Sequence, residues 1–122
     1  MNGYLVAASA ASFSTFAIHT WIGGPITVPP LLNSKDMHDV PKYTNYYCWH
    51  LVTVTLFVMG LAFAWGASHA GGADVAWFAF LLATSFLLWN LVLIVWKQQN
   101  FMQMLQWLLF AIISGLALFG LL

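Results

Sequence analysis

Residues Phe16 to Leu32 read F-A-I-H-T-W-I-G-G-P-I-T-V-P-P-L-L. An apolar helix carrying His19 and Trp21 is expected to end at Gly23-Gly24-Pro25, because glycine costs backbone entropy and proline removes a helical donor. Beyond that point the composition predicts a long connection over residues 23–45. Its first half (Ile26, Val28, Leu31, Leu32) is apolar. Its second half, Asn33-Ser34-Lys35-Asp36-Met37-His38-Asp39, is the one stretch that clearly prefers water. The next helix opens with Tyr46-Tyr47-Cys48-Trp49-His50, so two histidines flank the connection and the rest of the chain reads as apolar scaffold around them.

Composition sets the class. Of 122 residues, 62% are hydrophobic and 5% charged, with three Lys, three Asp and neither Arg nor Glu. A water-soluble domain carries about 25% charged residues, so the chain is expected to take the lipid bilayer as its solvent and partner. The zero net charge and the lack of a basic patch leave no electrostatic footprint for nucleic acid. Met1-Asn2-Gly3-Tyr4 lacks the positive region of a cleaved leader, so the first apolar segment is expected to be retained. Cys48 is the single cysteine and has no internal partner for a disulfide.

Four apolar runs approach the roughly 20 helical residues that cross a hydrocarbon layer of about 30 Å. They cover approximately residues 4–22, 46–66, 74–96 and 101–122. Asp74 is the expected N-cap of the third, and Asn100 with Gln103 resembles a capping box for the fourth. No barrel-like alternation is present. The reading is an all-α, polytopic membrane protein: one four-helix transmembrane bundle running up-down-up-down. Trp21, Trp49, Trp96 and Trp107 mark one interface, Trp65 and Trp77 the other. All three lysines fall in the connections 23–45 and 97–100, which places those loops on the cytoplasmic side of a cell inner or plasma membrane.

Helical spacing selects an inward face for each segment. These are Ala8, Ser12, Thr15, His19; then Tyr46, His50, Thr53, Phe57, Gly60, Ala64; then Ala76, Ala79, Ala83, Phe86, Asn90; and finally Gln103, Gln106, Phe110, Ile113, Ala117, Gly120. Small and polar residues so spaced suit helix seams in lipid. Alternating helix direction then gathers His19, His50, Asn90 and Gln106 into a pocket roofed by the first connection. The opposite end, around Gly60, Ala64, Ala76, Ala117 and Gly120, should pack tightly.

Several functions compete for such a pocket. The four residues can be interhelical glue, which makes the protein a structural or assembly subunit packed on a larger membrane complex or on its own copy. His19 and His50 can ligate haem or a transition metal, with Asn90 and Gln106 orienting the rings. The histidines can also donate hydrogen bonds to a quinone or another lipophilic small molecule. No charged residue lies deep in a helix, which argues against a transporter. Cys48 and His50 face different directions on one helix, Asp36, His38 and Asp39 read as a solvated loop, and His69 stands alone. No nucleophile–base pair, phosphate loop or paired carboxylates is present, so an enzyme is not expected unless it is a haem- or metal-dependent membrane oxidoreductase.

The segment His19-Thr20-Trp21-Ile22-Gly23-Gly24, followed by Pro29-Pro30-Leu31-Leu32, resembles the first helix of several small membrane families. One is the haem-dependent membrane protoporphyrinogen oxidase family; another is the copper-resistance D type of membrane domain. The resemblance implies that His19 is a ligand candidate. Leu31 stands where the oxidase pattern has Arg, and the third helix has no basic residue before Lys97, so the oxidase activity is not implied.

Overall fold

The structure, a computed structural model, describes residues 1–122 and consists of helices without strands. We number four: α1 (Gly3–Leu32), α2 (Asp39–Ser68), α3 (Ala73–Trp96) and α4 (Gln106–Leu121). The first three are long and apolar enough to cross a membrane, whereas α4, with 16 residues, is shorter.

The Gly-Gly-Pro sequence does not break α1, contrary to expectation. Residues Ile18–Gly23 form a π-helical turn between the α-helical segments Gly3–Ala17 and Gly24–Leu32. The N–H of Gly24 donates to the carbonyl of His19, five residues back. Pro25 follows within the first turn of the second α-helical segment, where a missing donor costs least. Helix therefore occupies most of what read as loop, and the connection to α2 is only residues 33–38. At its far side Asp39 opens α2, its charge favourable at a helix N-terminus.

Two other boundaries move. The fourth helix begins at Gln106 rather than near Phe101, because residues 101–105 form turns. The Asn100 side chain accepts from the Met102 N–H at 2.8 Å, and the Trp107 indole donates to the Phe101 carbonyl at 2.9 Å. Both contacts stabilise the turn in place of a capping box. The third helix is preceded by Gly72 as its cap, leaving Asp74 in the first turn.

In the bundle α1 packs on α2 and α4, and α3 packs on α4 and α2. Contacts between α1 and α2 fall in reversed order: Asn2 N–H to the Ala67 carbonyl, Ser9 Oγ to the Gly60 carbonyl, His19 Nε2 to the Trp49 carbonyl. These two helices therefore run in opposite directions. Asn2 ties three helices at one end. Its side chain accepts from the Leu5 N–H and donates to the Gly120 carbonyl at 2.6 Å, while its N–H donates to Ala67.

Small residues explain the close approach. A Cβ on Gly66 would lie 2.7 Å from the Cβ of Ala76, and one on Gly120 would lie 2.9 Å from Leu5. The core is Leu5, Ala8, Leu56, Met59, Phe63 and Ala67, continued by Ala76, Ala79, Ala83, Phe110, Ile113 and Ala117. It is thin: 20 of 122 residues are buried, while Val54, Phe78, Leu81, Leu88 and Phe119 point outward, Phe78 with 70% of its surface free.

Candidate functional site

The π turn places His19 where α1 faces α2. A π turn inserts one residue into the helical repeat and so re-aims the side chains around it, a feature found often at functional sites. The imidazole of His19 is stacked on the indole of Trp49, centroids 4.0 Å apart and planes within 20°. Its Nε2 lies 3.1 Å from the Trp49 carbonyl oxygen and 3.1 Å from Thr53 Oγ1. Thr53 Oγ1 in turn donates to the same carbonyl at 3.2 Å. Ring plane and ring rotation are thus both held by one turn of α2.

Beside this arrangement is a cavity of about 230 Å³ between α1, α2 and α4. His19, Trp49 and Gln106 border it, with Leu56, Leu109 and Phe110 supplying much of its apolar wall. Gly23 and Thr27, from the helical continuation of α1, complete that side where a loop roof was expected. Gln106, at the first turn of α4, makes no side-chain hydrogen bond within the protein, and neither does Nδ1 of His19. The sealed polar side-chain atoms without partners are two others, Thr20 Oγ1 and Asn90 Oδ1. Nδ1 is therefore open rather than enclosed.

The four residues expected to share a pocket are divided. His19 and Gln106 border the same cavity. His50 does not: it is exposed, packs edge-on against Tyr46, and lines a separate groove with Thr20, Pro25 and Thr53. Trp49 borders both spaces. Asn90 is half-buried on α3 and borders neither, although its Oδ1 is sealed without a partner.

As placed, His19 and His50 border different spaces. Axial ligation needs two unengaged ring nitrogens facing across one space. Here Nε2 of His19 is committed to Trp49 and Thr53, and His50 opens onto the other groove. No group of three or more His, Cys, Asp or Glu is placed to hold a metal ion.

The remaining candidates stay apart from this centre. His69 stacks on Trp65 at 3.5 Å and its Nδ1 bonds Ser68, at the other end of α2. Cys48 is exposed and free. The residue that sequence reasoning missed is Trp49, assigned there to an interfacial belt. Its spacing of four from Thr53 was the available signal, since residues so spaced share a helix face.

No protein-family model, curated protein or solved structure matches the chain.

Proposed function

We propose that this is an integral membrane protein, an up-down-up-down bundle, that binds a lipid-soluble small molecule of one-ring size in the cavity beside His19. The carrying observation is that one cavity with a largely apolar wall is bordered by half-buried His19 and exposed Gln106, whose Nδ1 and side-chain amide make no hydrogen bond within the protein. Ligand sites are commonly built in this way, with few polar groups fixing orientation inside an apolar enclosure. An engineered apolar cavity of about 150 Å³ admits benzene, so about 230 Å³ has room for a substituted ring.

Placement in a membrane rests on the three long apolar helices and on the outward Phe, Leu and Val side chains, which suit hydrocarbon and not water. Extended apolar patches on a water-facing surface would associate. The alternative of a ligand-free assembly subunit, and that of haem or a metal on His19 and His50, predict other outcomes of the same experiment.

The test is calorimetric titration of the protein in lipid nanodiscs with tetramethylhydroquinone and tetramethylbenzoquinone, beside a Leu109→Trp variant that fills the cavity. Saturable binding of either probe, lost in the variant, is the expected result. A colourless protein that binds neither probe and runs as a larger complex in mild detergent would make it a packing subunit. A Soret band lost in both His19→Ala and His50→Ala would make it a haem protein.

A further inference from the structure

The way His19 is held decides which kind of polar group can meet it, and this inference rests on the ligand-binding reading above. A neutral imidazole carries one N–H and one bare nitrogen, and the partner of one nitrogen sets the character of the other. The Trp49 carbonyl oxygen can only accept, so Nε2, 3.1 Å away, must bear the hydrogen. Thr53 closes the arrangement consistently. Its hydroxyl gives its hydrogen to that carbonyl at 3.2 Å and offers a lone pair to the Nε2 hydrogen at 3.1 Å. Every donor in this trio has an acceptor.

Nδ1 is then a bare lone pair with no protein partner. No acidic side chain borders the cavity to hold an imidazolium in place of the neutral ring. A half-turn of the ring would set a carbon where Nε2 now meets the Trp49 carbonyl and Thr53, so those two contacts oppose it.

We propose that the cavity selects hydroxyaromatic ligands, the reduced quinol type of lipid-soluble ring, over their oxidised or O-methylated counterparts. A ring hydroxyl donates to Nδ1. A quinone carbonyl or an aryl ether would set lone pair against lone pair, and a desolvated acceptor left without a donor is costly. Gln106 tolerates either form, because an amide both donates and accepts. The Thr27 hydroxyl at the same border is equally permissive, so among these groups His19 is the one that can only accept, and discrimination belongs to it.

The test compares three probes built on the same tetramethyl ring, on the wild-type protein in nanodiscs under argon: tetramethylhydroquinone, its bulkier dimethyl ether and tetramethylbenzoquinone, of which the quinone is the size-matched control. The hydroquinone is expected to bind about tenfold more tightly than the other two, the scale of one hydrogen bond to a buried group. His19→Leu should level the three affinities. Nitrogen-15 NMR of labelled histidine in the wild-type protein, which needs no variant to fold, should show His19 protonated at Nε2 alone. Equal binding of the three probes, or tighter binding of the quinone, would overturn the proposed selectivity while leaving the cavity reading in place. A His19 proton found on Nδ1 would do the same. Binding of none of the three would overturn both.

Discussion

The His19 imidazole lies face-on against the Trp49 indole, 4.0 Å between centroids, and its Nε2 meets the backbone carbonyl of that same residue at 3.1 Å. One residue of α2 therefore holds the ring in two ways, by its side chain and by its main chain. The backbone contact survives any substitution at position 49, so the two contributions separate experimentally. Trp49→Phe keeps a stacking surface and should cost less than about 1 kcal/mol. Trp49→Ala removes it and should cost about 2–3 kcal/mol, near the low end for aromatic truncation because the residue is only half-buried. Reversible unfolding in mixed micelles measures both, and equal losses for the two variants would show that stacking contributes nothing.

The glycines of the bundle differ in what surrounds them. A Cβ at Gly66 would lie 2.7 Å from Ala76 Cβ and 3.2 Å from the Gly72 carbonyl, neither of which can rotate away. Gly66→Ala should therefore destabilise by about 1–3 kcal/mol through overpacking. A methyl group on Gly115 would meet nothing within 4 Å, so Gly115→Ala should be neutral or gain about 0.5–1 kcal/mol from helix propensity. The opposite signs are read from paired unfolding curves.

Gln98 is the single non-glycine residue with positive φ, at 51°. It follows α3 with two bonds that close the helix end: Gln98 N–H to the Val95 carbonyl and Gln99 N–H to the Ile94 carbonyl. This is the position where glycine is preferred, since a Cβ there crowds the backbone. Gln98→Gly should raise stability by about 1 kcal/mol. A loss of stability on thermal or denaturant unfolding would mean that the Gln98 side chain makes a compensating contact.

Cys48, as the single cysteine, makes membrane sidedness simple to read. In a Cys48→Ser background, Ser34→Cys and Ala70→Cys report the α1–α2 and α2–α3 connections. With a membrane-impermeant maleimide added to intact cells, position 70 should label and position 34 only after permeabilisation. The reverse pattern would invert the orientation, and labelling of both in intact cells would remove α2 as a span.

The small and apolar parts of three inward faces were legible before the fold, whereas Gln103 and Gln106, expected on the fourth face, lie exposed. Ala8, Ser12 and Thr15 are buried, as are Ala76, Ala79 and Ala83, and Phe110, Ile113 and Ala117. Small residues mark these seams because they permit close helix approach. The α2 face was displaced. His50, Phe57 and Ala64 were expected inside and lie exposed, whereas Leu56, Met59, Phe63 and Ala67 are buried, with Gly60 common to both sets. That helix is apolar nearly all round, so periodicity has little contrast, and its polar residues mislead.

From the sequence by itself came an all-helical chain with four apolar segments, a polar-poor composition, and His19, His50, Asn90 and Gln106 as one candidate pocket. Those conclusions depend on composition and on which residues share one helix's face, both local properties. Tertiary structure decided that residues 24–32 continue the helix, that His50 opens onto another groove, and that Nε2 of His19 is engaged by the Trp49 carbonyl. The last depends on a carbonyl 30 residues away along the chain. Main-chain acceptors look alike at every position in a sequence, and only packing selects the one that meets a given ring.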